Sequence, residues 1–313
     1  MAILIDPPEW PAHGQLWSHL VSDTSYDELH AFARELRVPR RGFDLDHYDV
    51  PARRYEQAVA LGALPVPGRA VVHALRDAGL RVRQIDRDRV TPGRRLGFLR
   101  SEWARLGGLL GVPETVRHRS GWADLGDDLE RRWREPHRSY HDERHLEDVL
   151  LTLDHFETLA EDVAPETLLA AWFHDAIYTG RGGVDERDSA EYAAAALREL
   201  SVGQGVGERV RELILATDPA FAGEAPPERL AHLHDADLWV FASPPERYAQ
   251  YTAGVRAEYA HLAPERFRAG RAEILRGFLE RPRLYRTEPA HRMWDERARE
   301  NVAAEIRALT SGN

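Results

Sequence analysis

The chain has 313 residues, 43% of them apolar, no cysteine and a formal charge of −10. Length and apolar content are sufficient for two cores, and the missing thiols exclude disulfides, zinc–thiolate sites, iron–sulfur clusters and cysteine nucleophiles, so any metal must rest on histidine and carboxylate. The acidic balance excludes a general affinity for nucleic acid or for anionic membranes, while a local basic pocket for a phosphorylated small molecule stays open.

The opening, MAILIDPPEW, lacks the basic stretch and long apolar run of a signal peptide. No apolar run nears the roughly 20 residues that span a bilayer. A cytoplasmic location without membrane attachment is therefore expected. Ala2 to Ile5 reads as a strand that ends in the turn Asp6-Pro7-Pro8. Ser25 and Glu28 have capping-box spacing, and Leu29, Phe32, Ala33 and Leu36 follow on one helical face. A further helix is expected from Arg69 to Asp77, with Gly79 as its stop. Asp6, His13, His19, Asp23, Asp46, His47 and Asp49 put many ionisable groups into this short region. They can gather into a site at the end of the first strand, or serve only as turn and cap residues.

The charged stretch Arg81 to Arg95, with Thr91-Pro92-Gly93, is the best boundary. The expected division is a small α/β domain over 1–85, a linker over 86–95 and a helical domain over 96–311, a mostly α chain. Within the helical part, Leu146, Val149, Leu150 and Leu153 keep the helical period, and Pro165 can start the next helix. The run Leu168 to Tyr178 is apolar nearly all round and stops at Gly180 and Gly182-Gly183. Leu230, Leu233 and Phe241 mark another segment.

Three of these segments carry polar groups where a core is expected. His174-Asp175 lies inside the apolar run, and a buried carboxylate has to be paired, hydrogen-bonded or ligated. His141 and His145 are four apart, so on a helix they share a face: one imidazole can bind a metal while the other points at what the metal activates. Asp237 falls in line with Leu230, Leu233 and Phe241, whereas Asp235 points elsewhere. Two imidazoles and two carboxylates suit Mn, Fe, Co, Ni or Zn and leave positions for water and substrate.

The order His, His-Asp, Asp resembles the signature of the HD superfamily of metal-dependent phosphohydrolases. The stretch Tyr140-His141-Asp142-Glu143-Arg144-His145 through Val149 is similar to the corresponding part of cyclic-nucleotide phosphodiesterases of that superfamily. A bacterial family of predicted HD phosphohydrolases is the nearest resemblance. It is carried by Glu135-Pro136-x-Arg138-x-Tyr140-His141, Asp-Ala-Asp-Leu at 235–238, Arg256-x-Glu258-Tyr259, Gly270-Arg271 and Glu296-x-Ala298-Arg299-x-Asn301. It covers roughly Leu96 to Leu309. The resemblance implies an all-helical domain with one divalent metal on His145, His174, Asp175 and Asp237. It gives His141 the place of the general acid.

Asp175 also counts among the catalytic residues in that reading, and Glu186 can hold the attacking water. Relatives with two metals add His or carboxylate ligands between the His-Asp and the last Asp. Here no His occurs between His174 and His232, and Asp218-Pro219-Ala220-Phe221 follows Thr217. One metal is therefore expected, with Asp185 or Glu186 the local source of any second-site ligand. Arg138 and Tyr140 are candidates for binding substrate. Arg138, Arg256 and Arg271 can grip phosphate or make salt bridges, with Glu258 or Glu296 as partners.

The expected activity is hydrolysis of a phosphate ester, of a nucleotide by preference, by a metal-activated water; a homo-oligomer is compatible with it. The alternatives are a nucleotide-binding sensor with a non-catalytic metal site and an HD-type di-iron oxygenase. The N-terminal part, through Ile5-Asp6-Pro7-Pro8-x-Trp10-Pro11-Ala12-His13-Gly14, His19 to Asp23 and Asp46 to Val50, resembles a small bacterial domain family of unknown function. That resemblance implies no chemistry.

Overall fold

The computed structural model describes residues 1–12, 14–112, 121–203, 205–218 and 229–311, the side chains of 229 and 230 excepted. His13, Pro219, Ala220, Phe221 and the side chain of Leu230 lie outside the described residues. The fold is mostly α with a small α/β part at the N-terminus. The chain divides into two compact units, one of Met1–Gly97 with Asp154–Glu161, the other of Phe98–Leu153 with Asp162–Asn313.

In the first unit the strands are β1 (Ile3–Ile5), β2 (Trp10–Ala12), β3 (Gln15–Ser22), β4 (Tyr48–Pro51) and β5 (Leu64–Pro65). β3 is the longest and pairs antiparallel with β1, β2 and β4, while β5 adds parallel to β1. Alternation along the strands sorts side chains to the two faces of the sheet. Ile3, Ile5, Leu20 and Val50 pack with Leu29 and Ala33 of helix α1 (Tyr26–Glu35) and with Ala58 of α2 (Tyr55–Ala60). Leu4 and Val21 face the other way, against Val71 and Leu75 of α3 (Gly68–Asp77).

Ser25 caps α1 by accepting from the Glu28 amide at 3.2 Å. The reciprocal half of the expected box is not made, because the Glu28 carboxylate takes the Ser22 hydroxyl instead. The expected linker over 86–95 is corrected as well. Those residues belong mostly to α4 (Arg87–Leu109), which carries Pro92 inside it. Pro92 is the sixth residue of α4, past the turn whose amides have no intrahelical carbonyl, so it removes the bond that an amide there would make to the Asp88 carbonyl.

Beyond α4 come α5 (Trp122–Trp133), α6 (Glu143–Thr158), which belongs to the second unit as far as Leu153, α7 (Pro165–Phe173), α8 (Asp185–Glu199), α9 (Val206–Leu215) and α10 (Arg229–Asp237). A short 3-10 turn, Leu238–Ala242, leads into α11 (Pro245–Glu258), α12 (Pro264–Leu279) and α13 (Glu288–Thr310). Every residue of α7 from Thr167 to Phe173 is buried, as an all-round apolar helix requires. The helix ends at Phe173 and not near Tyr178: His174 is its C-terminal cap and Asp175 lies in the following turn. Trp103 and Trp122 stack at 4.2 Å, and each indole N–H donates to the other's carbonyl. No helix among the described residues is long and apolar enough to cross a membrane.

Candidate metal centre

Three chain segments of the second unit bring His145, His174, Asp175 and Asp237 together. His145 sits in the first turn of α6, which Asp142 caps by accepting from the amides of Arg144 and His145 at 2.9 and 3.3 Å. His174 and Asp175 leave the end of α7, where the break in helical geometry lets two neighbouring side chains converge. Asp237 is the last residue of α10.

The Nε2 atoms of His145 and His174 are 3.3 Å apart. Asp175 Oδ2 is 3.2 Å from His174 Nε2 and 3.8 Å from His145 Nε2. Asp237 Oδ1 is 3.1 Å from His145 Nε2 and 3.6 Å from His174 Nε2. Ligand atoms about 2.1 Å from one cation lie roughly 3.0 to 3.4 Å from their neighbours, in octahedral or tetrahedral arrangement. The imidazole–imidazole and imidazole–carboxylate spacings, 3.1 to 3.8 Å, are close to that. One ligand atom each from His145, His174 and Asp175 fall mutually within 4.8 Å, and Asp237 joins them through its contacts to the two imidazoles.

The tautomer of His174 is set by its surroundings: Nδ1 donates to the Ala171 carbonyl at 2.9 Å, which leaves the Nε2 lone pair directed into the cluster. Both imidazoles are 2% exposed, whereas the Asp175 and Asp237 side chains are 17% and 26% exposed, so the cluster opens on its carboxylate side. With neutral imidazoles it carries two negative charges, which demands a counter-charge. Burial alone would lower the His174 pKa and raise those of the two aspartates. Their mutual attraction outweighs it, holding His174 well above the usual imidazole range and both carboxylates well below theirs. The same field favours a dication, and the donor set fits a divalent transition metal.

His141 lies beside this cluster but not on a helix. α6 begins at Glu143, so the helical spacing of His141 and His145 is corrected: His141 is in the preceding turn, its ring 5.7 Å from that of His145. Glu258 holds it there. The Glu258 carboxylate accepts from the amides of Ser139, Tyr140 and His141 at 2.8, 2.7 and 2.9 Å, from His141 Nδ1 at 2.7 Å and from the Tyr178 hydroxyl at 2.9 Å. Burial works against the charged imidazole, but Glu258, with Asp175 and Asp237 at longer range, raises the His141 pKa. Glu258 was read from the sequence only as a salt-bridge partner for arginine. Its place in Arg256-x-Glu258-Tyr259 was the available signal.

Arg138 is not placed to grip a phosphate. Its side chain is fully enclosed, and its guanidinium donates to the carbonyls of His141, Asp175 and Ala176 at 2.9, 2.8 and 3.2 Å and to Glu135 at 3.2 Å. It clamps the turn before α6 to the turn after α7, which uses the planar fork for scaffolding instead of recognition. Tyr140 is likewise buried, its ring 4.9 Å from that of His145 and 4.6 Å from that of Tyr251, a wall behind the His–Asp cluster. Arg256 donates to the carbonyls of Tyr259 and Leu262, and Arg271 to Glu305 and Tyr251.

Asp185 is taken up in its own loop, accepting from the Thr179 amide and hydroxyl and the Arg181 amide, so it is withdrawn as a second-site ligand. Glu186 accepts from the Gly183 amide at 2.5 Å, and its pKa is raised by burial and by the charges of Asp175 and Asp218. It lies within the electrostatic reach of the cluster. Asp235 faces away, as expected, accepting from the Arg286 and Thr287 amides, the Thr287 hydroxyl and His234.

The second unit is thus a helical bundle with a buried His–Asp cluster open to one side. Residues 3–78 match the model of a family described as a protein of unknown function (DUF4031). No curated protein and no solved structure matches the chain.

Proposed function

We propose that the second unit is a metal-dependent phosphohydrolase acting on a small phosphate ester, a nucleotide by preference, with one divalent transition metal held by His145, His174, Asp175 and Asp237. The convergence of two Nε2 atoms and two carboxylates at 3.1 to 3.8 Å carries this reading. The resemblance of the motifs to HD phosphohydrolases supports it. A metal bound there supplies a Lewis acid for a phosphoryl oxygen and lowers the pKa of water at the site.

The chain's own groups supply the rest. Glu258 fixes Nδ1 of His141, so Nε2 is the nitrogen free to deliver a proton to a leaving oxygen. The raised pKa favours the protonated ring that such a donor needs. Glu186, whose own pKa is raised, is suited to orient or deprotonate the attacking water. Tyr178 stacks on His141 at 4.3 Å and, with Tyr140, restricts water on the acid's flank. The work of orientation thus falls to Glu258 and Arg138.

The test is a phosphate-release and product-mass screen of nucleotides with Mn, Co, Ni, Mg and Zn, run beside Asp175→Ala. Turnover in the parent and none in the variant, with its helical circular dichroism retained, is the expected result. Undiminished turnover in Asp175→Ala refutes the assignment. Nucleotide binding without product by the metal-replete protein points instead to a sensor, and two irons per chain to an oxygenase.

A further inference from the structure

We propose that the N-terminal unit carries a separate metal site, formed by His19, His47 and Asp49, whose open position takes a small organic oxyanion. The strand register makes His19 and Asp49 direct partners across β3 and β4, and His47 immediately precedes β4. One ligand atom from each of the three residues lies within 4.8 Å of the other two. The rings of His19 and His47 are 5.0 Å apart, and His47 Nε2 is 3.6 Å from Asp49 Oδ1.

Both imidazoles are held from behind by a buried carboxylate. Asp6 Oδ2 is 2.8 Å from His19 Nδ1, and Asp46 Oδ1 is 2.6 Å from His47 Nδ1. These carboxylates are themselves anchored. Asp6 also accepts from the His19 amide and the Trp10 indole, and Asp46 from the Val82 amide and from Arg81. Each histidine is thereby set with Nδ1 engaged and Nε2 available, the arrangement by which proteins orient metal-ligating imidazoles. An ion pair serving stability alone needs no such duplication, nor a third carboxylate whose side chain is 46% exposed.

Three protein ligands leave an open position. His19 and Asp49 face a cavity of 590 Å³ walled by Trp10 and Trp17 and carrying Arg53 and Arg54. Arg53 and Arg54 donate to the neutral amide oxygens of Gln15 and Gln57, which leaves their positive charge available to a phosphate or carboxylate. Indole walls, guanidinium groups and a metal position suit a small anion with an apolar body.

The site is distinguishable from the quartet of the second unit by zinc stoichiometry on chelator-stripped, full-length protein. Two zinc ions are expected in the parent, one in Asp175→Ala, and one in His19→Gln or in Asp49→Asn. Combining Asp175→Ala with either N-terminal substitution is expected to leave none. Asp49→Asn changes a half-exposed side chain and keeps its shape, so it reports on ligation if His19→Gln misfolds. Phenylphosphonate is expected to tighten the zinc binding of Asp175→Ala at least threefold, and Arg53→Ala/Arg54→Ala to remove that gain. A folded Asp175→Ala that binds no zinc, or N-terminal variants that bind like their parents, overturns the site. Absence of tightening overturns the oxyanion. A parent that binds one zinc, lost in His19→Gln and kept in Asp175→Ala, upholds this site while refuting the quartet.

Discussion

Glu258→Gln is a near-isosteric change that separates the positioning of His141 from the metal cluster. The side chain is 2% exposed, so its hydrogen bonds are little screened by solvent. Burial raises its pKa, but His141 and the amides of Tyr140 and His141 outweigh this and bring it from 4.5 to about 2. At about 1.4 kcal/mol per tenfold change in proton affinity, that corresponds to on the order of 3 kcal/mol of folded-state stability. A depressed carboxylate contributes fully above its unfolded pKa and loses the contribution as pH falls from about 4.5 through about 2. His141 has the opposite sign: its raised pKa contributes fully below about 6.5 and is lost as pH rises beyond that.

The glutamine keeps an oxygen for the amides but replaces the charge facing Nδ1. Urea denaturation is therefore expected to show a deficit of about 2–3 kcal/mol between pH 5 and 6.5, shrinking toward pH 3. The imidazole resonances of His141 should titrate at lower pH, and kcat should fall by about 10²-fold or more. Equal stability of parent and variant across this range, with an unmoved His141 titration, refutes the argument.

Gly254→Ala places a Cβ 2.6 Å from the Ser139 carbonyl and 3.0 Å from Tyr140 Cβ. Because the first obstacle is backbone, the turn before α6 must shift; thermal melts should report a loss of about 1–3 kcal/mol, with weaker metal binding. Arg138→Met leaves the carbonyls of His141, Asp175 and Ala176 without their donor and should cost about 3 kcal/mol in chemical denaturation while lowering metal affinity. Asp235→Asn and Asp237→Asn should part company. The former reduces stability by about 2 kcal/mol and spares the turnover of the folded protein, and the latter abolishes turnover. In metal-free protein, burial lowers the His47 pKa but Asp46 and Asp49 carry it to about 9. The N-terminal unit should therefore lose stability as pH rises from about 6.5 through 9, and His47→Gln should flatten that slope.

The convergence of His174, Asp175 and Asp237 was legible because each broke a pattern: an imidazole and a carboxylate in an all-apolar run, and Asp237 in line with Leu233 and Phe241. The strand at Ile3–Ile5 and the helix Gly68–Asp77 were legible because their apolar spacing keeps the pattern of the buried faces observed. What escaped sequence reasoning depends on long-range pairing. Glu258 is 117 residues from His141, and no local spacing announces that one carboxylate gathers three consecutive amides. Arg138 shows the converse error, where residue type suggested phosphate recognition although three nearby carbonyls claim the guanidinium. For the N-terminal histidines the sequence left a site and turn or cap roles both open; the sheet sets Asp6 behind His19, while Asp46 stands behind its neighbour His47.

The central claim is that His145, His174, Asp175 and Asp237 enclose one cation. Anomalous diffraction from manganese-soaked crystals of the full chain tests it most directly. The account predicts a peak within about 2.0–2.3 Å of both Nε2 atoms and of one oxygen from each carboxylate. Imidazoles and carboxylates bonded only to one another, with no anomalous signal between them at saturating manganese, would contradict it.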